Sequence, residues 1–164
     1  MYDIEDICNK YYKNVYKYLM SLSHNPNIAE ELTQETFCKA IKEINKFKGN
    51  CEIITWLCII SKHLYYQYSK KSIYENIDDI NDISSVSIED TYILSQDRLD
   101  LYKGLQKISE NEKNVVYLRL LGLSFKEISE VIGKNETWAK VVFHRAKKDL
   151  NRYIKGGQNE RDRK

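Results

Sequence analysis

Residues 109–150 read SENEKNVVYLRLLGLSFKEISEVIGKNETWAKVVFHRAKKDL, and the order of cap, apolar run and glycine in this stretch decides the fold. Ser109 followed three residues later by Glu112 fits a capping box, so a helix starts there. Val115, Val116, Leu118, Leu120 and Leu121 supply its apolar positions, and Gly122 suits its C-terminal stop. Ser124 and Glu127 form a second capping box, opening a short helix with Ile128, Val131 and Ile132 that closes at Gly133. Asn135 caps the last helix, in which Ala139, Phe143, Ala146 and Leu150 recur at helical spacing on one face. Helix, glycine-containing turn and helix together spell a helix-turn-helix.

With Ala139, Phe143, Ala146 and Leu150 facing a core, Glu136, Lys140, Val141, His144, Lys147 and Lys148 project outward. The N-terminal part of such a second helix enters the DNA major groove, where long side chains reach base edges. Lys140, Val141 and His144 are the candidates for base contact. Arg145, Lys147, Lys148 and Arg152 are placed to grip phosphates, which gives affinity but little sequence information. Trp138 reads as a packing residue, because a large indole contributes most through buried area.

Upstream, a short helix is expected around Leu99 to Ile108. Before it, residues 72–95 (SIYENIDDINDISSVSIEDTYILS) carry six Asp/Glu and no Lys/Arg. Isolated isoleucines without a helical stripe make this an acidic flexible linker. Residues 96–164 hold 16 Lys/Arg against 10 Asp/Glu, whereas residues 1–71 hold 10 against 8. The basic third is the one that bears the helix-turn-helix, as phosphate binding requires.

The first block is helical as well. Ile4, Ile7, Tyr11, Val15, Tyr18 and Leu19 lie on one helical face. A turn around Pro26 follows, with Asn27 as the expected N-cap and Glu30 three residues on. Ala29, Leu32, Thr36, Phe37, Ala40, Ile41 and Ile44 define the next helix, which ends near Asn45. A loop at Lys46–Glu52 leads to a third helix bearing Ile53, Trp56, Leu57, Ile60 and Leu64. Phe47, Lys46, Lys48, Trp56, Lys62, Tyr65 and Tyr66 gather aromatic and basic residues around that loop, a combination suited to unpaired nucleic acid. Trp56 by itself is more simply a core residue. The fold class is therefore all-α, two small helical domains joined by a linker: 1–71, 72–95 and 96–155, with 156–164 as a disordered tail.

Several function classes are excluded. Cys8, Cys38, Cys51 and Cys58 are scattered without a CxxC pair, and His24, His63 and His144 stand far apart, so no metal or cofactor is indicated. Glu30, Glu31 and Glu35 on one exposed helix lack the desolvated pairing of catalytic carboxylates. Neither a phosphate loop nor a nucleophile elbow is present, and no enzyme is expected. No stretch reads as a signal peptide or approaches the roughly 18 apolar residues of a membrane span, so a cytoplasmic protein is expected.

Two motif sets resemble the sigma-70 family of bacterial RNA polymerase. Ala29-Glu30-Glu31-Leu32-Thr33-Gln34-Glu35-Thr36-Phe37, then Phe47-Lys48-Gly49 and Trp56-Leu57, resemble its region two. Val115–Arg119, Gly122–Ile128 and Phe143–Leu150 resemble its region four. The lack of the further domains of housekeeping sigma factors makes the likeness one to the extracytoplasmic-function, group IV, type. The resemblance implies that Glu31, Gln34, Glu35 and Phe37 dock core RNA polymerase. It implies that Lys46, Phe47, Lys48, Gly49, Asn50, Lys62 and Tyr65 capture the unpaired strand of a promoter −10 element. It implies that Glu136, Thr137, Lys140, Val141, His144, Arg145 and Lys148 read the duplex −35 element. It further implies an anti-sigma partner, membrane-anchored, and an envelope-stress role, toward which Trp138-Ala139-Lys140-Val141 also points. His63, Gln67 and Ser69 depart from the family pattern at the end of region two. The alternatives are a stand-alone helix-turn-helix regulator that binds duplex DNA without polymerase, and a purely helical adaptor.

Overall fold

The structure is a computed structural model that describes residues 3–75 and 96–161. Every regular element among them is helical: α1 (Ile4–Ser23), α2 (Pro26–Glu43), a 3-10 turn (Ile44–Lys46), α3 (Ile53–Glu75), α4 (Gln96–Lys107), α5 (Glu110–Leu120), α6 (Phe125–Ile132) and α7 (Glu136–Arg161). The chain divides into two compact units, with α1–α3 in the first and α4, α5, α7 and the start of α6 in the second.

In the first unit α1, α2 and α3 all pack on one another. Val15, Leu19, Ala29, Leu32, Phe37, Ala40, Leu57, Ile60 and Leu64 form the core, drawn from all three helices. Trp56 is half-buried and packs against this core, as expected. Thr33 and Thr36 are also fully buried. Their hydroxyls donate to the carbonyls of Ala29 (2.6 Å) and Leu32 (2.7 Å), which removes the cost of an unpaired buried donor. Burial pushes the Cys58 thiol up to about 12, so it stays protonated at neutral pH.

The start of α2 differs from the sequence expectation. Its N-cap is Asn25, whose Oδ1 accepts the N–H groups of Asn27 (2.9 Å) and Ile28 (3.2 Å). Pro26 takes the first helical position, where its fixed φ fits and its missing N–H is not needed, so the cap falls one residue before it. Asn27 is thereby inside the helix. Glu30 does not complete a capping box; it accepts from Tyr12 Oη (2.6 Å) and Gln34 Nε2 (3.1 Å).

The second unit follows its punctuation closely. Ser109 Oγ accepts from Glu112 N while the Glu112 carboxylate accepts from Ser109 N, and Ser124 and Glu127 do the same. Gly122 (φ 92°) and Gly133 (φ 76°) hold the left-handed conformations that end α5 and α6. Asn135 Oδ1 accepts from Trp138 N at 2.7 Å and caps α7. Leu120 departs from its expected place, being 71% exposed at the end of α5 while Leu118 is fully buried.

Two helices outrun their expected ends. α3 continues to Glu75, into the segment assigned to the linker; residues 76–95 lie outside the described residues. α7 continues to Arg161, so residues 156–161 are helical rather than a disordered tail. Extending an existing helix needs no new nucleus, and two glycines cost only about 1 kcal/mol each.

The revised cap is testable. Asn25→Ala should lower the stability of the first unit by about 1 kcal/mol in urea unfolding, while Asn27→Ala changes it by less than about half as much.

Candidate nucleic-acid interface

The C-terminal unit builds its outward face from the core side. Ala139 and Ala146 are fully buried and Leu150 is 7% exposed, in the register the sequence gives. Val142 joins them at 6%, and Phe143 is half-buried at the edge. α7 lies on α4 and α5 through this stripe. The opposite face therefore points to solvent, and Glu136, Thr137, Lys140, Val141, His144, Arg145 and Lys148 are all exposed. Lys140 Nζ pairs with Glu136 Oε1 at 2.8 Å, one turn apart. Trp138 is half-buried, on the flank of the helix, consistent with packing.

Residues that sequence reasoning passed over hold the turn. Arg119 Nη1 donates to the Leu123 carbonyl at 2.7 Å, and its guanidinium lies 4.8 Å from the centre of the Phe125 ring. Phe125 in turn meets Phe143 edge-on at 5.5 Å. One cation and two rings thus connect the end of α5, the turn, α6 and the middle of α7. The sequence signal was the arginine just before Gly122, which composition alone would class as another phosphate contact. Gly104 is the other omission. A Cβ there would come within 3.1 Å of Leu150 Cδ2 and 3.4 Å of Tyr153 Cβ, so α4 packs tightly on α7 here and a side chain would require Leu150 to shift by a few tenths of an ångström.

In the N-terminal unit Lys46, which ends the 3-10 turn, and Lys48, Gly49 and Asn50 of the loop after it are exposed to solvent. Gly49 (φ 71°) takes a left-handed turn that other residues rarely adopt. Phe47 is half-buried, with its ring 4.9 Å from that of Trp56. Lys62 and Tyr65 lie on α3, and Lys62 Nζ is 5.6 Å from the Tyr66 ring. Tyr66 is 48% exposed and Tyr65 half-buried, so the more available aromatic face belongs to Tyr66. Lys62 is half-buried, whereas Lys46 and Lys48 are exposed on either side of Phe47, a combination that suits a single strand, with rings stacking on bases and ammonium groups holding phosphates.

On α2, Glu31, Gln34 and Glu35 are exposed along one face. Phe37 is not on that face. It is 5% exposed and stacks on Tyr12 at 5.5 Å, so it supports α2 from the core and offers no docking surface. The period of the helix explains this: Phe37 falls in line with Thr33 and Ala40, which are also buried. The hydrogen bond from Tyr12 holds the Glu30 carboxyl below its ordinary range and the tyrosine above its own. No group of three or more potential metal ligands occurs among the described residues.

Residues 7–72 match Sigma-70 region 2, and residues 98–150 match Sigma-70, region 4. The chain is similar to RNA polymerase sigma factor YlaC of Bacillus subtilis, with 27% identity over 96% of this chain and 95% of that one. It is also similar to ECF RNA polymerase sigma factor SigM of the same organism, with 24% identity over 96% of this chain and 98% of that one. The chain belongs to the extracytoplasmic-function group of the sigma-70 family. It is a sigma factor, and the group consists of transcription initiation factors. A sigma factor RpoE crystallised with the anti-sigma factor NepR from Bartonella quintana has the same fold: TM-score 0.77, 24% identity, over 92% of this chain and 96% of that one. No helix among the described residues of this sigma factor is long and apolar enough to cross a membrane.

The placement of Phe37 leads to a measurable contrast. Phe37→Ala should cost about 3–5 kcal/mol in urea unfolding, whereas Glu31→Ala, Gln34→Ala and Glu35→Ala should each stay within about 0.5 kcal/mol.

Proposed function

We propose that this sigma factor binds core RNA polymerase and directs it to promoters whose −35 element is read as duplex by α7 and whose −10 element is held as a single strand by the Lys46–Glu52 loop and α3. The observation that carries this reading is the outward face of α7. Seven candidate residues are exposed together on it, opposite a buried stripe that fixes their direction. Base contact falls to Lys140, Val141 and His144, with Glu136 and Thr137 at the helix start, while Arg145 and Lys148 hold phosphates. Capturing a base from the melted strand costs a few kcal/mol of unstacking, which the rings and lysines of the N-terminal unit offset.

Residues 1–71 serve core binding, −10 recognition and melting, with Glu31, Gln34 and Glu35 on the polymerase side. Residues 96–155 serve −35 recognition, and residues 72–95 connect the two. The protein performs no catalysis of its own and works in the cytoplasm, where its polymerase is. A membrane-anchored anti-sigma factor holds it inactive until an envelope signal releases it. The complex of the similar RpoE with NepR supports an anti-sigma partner.

Run-off transcription with purified core polymerase on a promoter library tests this function. Selective initiation that needs the protein is expected. Arg145→Ala and Lys148→Ala should each weaken promoter binding and make the salt dependence shallower by about one counterion. Duplex binding by the protein alone, without directed initiation, would instead establish a stand-alone regulator.

A further inference from the structure

Val141 has no structural reason to be valine. It is 51% exposed and lies opposite Ala139, Val142, Ala146 and Leu150, so the core does not ask for it. A β-branched residue is also a poorer helix former than the lysines, alanine or glutamate found nearby. Among the exposed residues from Glu136 to Lys148 it is the one apolar side chain. Thr137, His144, Arg145 and Lys148 stand one turn before it and one to two turns after it, and the cations among them make the surrounding face complementary to phosphate. A DNA groove supplies phosphates on both sides to meet those charges and, at its floor, one exposed apolar group per A·T pair, the thymine 5-methyl.

We propose that Val141 reads a thymine in the −35 element through van der Waals contact with its 5-methyl group. The proposal rests on the duplex-reading role given to α7. Valine is short, so the contact requires α7 to seat deeply in the major groove. Arg145 and Lys148, one and two turns further along α7, hold the phosphates beside it. Lys140 Nζ pairs with Glu136 Oε1 at 2.8 Å, one turn toward the start of α7.

The test uses the full chain reconstituted with core polymerase on its selected promoter. Each −35 thymine is replaced singly by deoxyuridine, which pairs identically and lacks only the methyl group. One replacement should weaken promoter binding about fourfold, the worth of one buried methyl. Val141→Ala should lose a similar factor on the thymine promoter and show no further loss with deoxyuridine. Val141→Thr, which keeps one methyl, should retain part of the sensitivity. Because Val141 is exposed, these variants should keep the wild-type circular dichroism and melting curve. Insensitivity of every −35 thymine, a selected element without thymine, or undiminished methyl sensitivity in Val141→Ala overturns the proposal while leaving the initiation function intact. A weakening in Val141→Ala that is equal on both templates, with wild-type sensitivity absent, assigns the residue to a protein contact instead. Failure of the wild-type protein to direct initiation on any promoter overturns the initiation function, and this proposal with it.

Discussion

Two alanines set the geometry on which the C-terminal unit depends. Ala139 and Ala146 are fully buried on the side of α7 that meets α4 and α5. Small side chains at a helix contact bring the axes together, and the direction of the remaining residues follows from the helical period alone. Glu136, Thr137, Lys140, Val141, His144, Arg145 and Lys148 are exposed because those alanines are not. Gly104 repeats the device on α4, where a Cβ would press on Leu150 at 3.1 Å. Larger residues at Ala139 or Ala146 would displace α7, and with it the exposed set that the proposed function assigns to DNA.

Packing of one face would still allow α6 and α7 to slide. The turn is fixed by a second kind of interaction, from Arg119 to the Leu123 carbonyl and the Phe125 ring, and from Phe125 to Phe143. Because Arg119 is exposed, its contact with the ring is worth about 0.5–1 kcal/mol, and its hydrogen bond to the carbonyl about as much. Reciprocal capping boxes at Ser109 and Ser124 mark where α5 and α6 begin, and Gly122 and Gly133 mark where they end.

These local signals are what a single sequence displays well, since cap, glycine and apolar period act over four residues or fewer. The helix-turn-helix and the outward set on α7 were legible for that reason. The cap at Asn25 was missed because Asn25 and Asn27 flank Pro26 with nearly equal claims, and only the position of the proline within the first turn separates them. Phe37 was placed on the polymerase face because motif likeness does not distinguish a residue that touches a partner from one that holds the helix touching it. Arg119 and Gly104 were invisible because their meaning lies in contacts made across the fold. The ends of α3 and α7 were set too early, since charge and glycine content mark where helices weaken and propagation decides where they stop.

On the proposed function, two separate surfaces of one chain contact the promoter. Joined in one chain, the second contact becomes intramolecular once the first has formed, so on that function promoter choice demands both. Hydroxyl-radical and permanganate footprinting of the complex with core polymerase on its selected promoter examines this most directly. Two separate protected segments are predicted, the upstream one fully duplex and the downstream one containing permanganate-reactive, unpaired thymines, with neither formed by the protein alone. A single protected segment, or full protection without polymerase, would contradict the account.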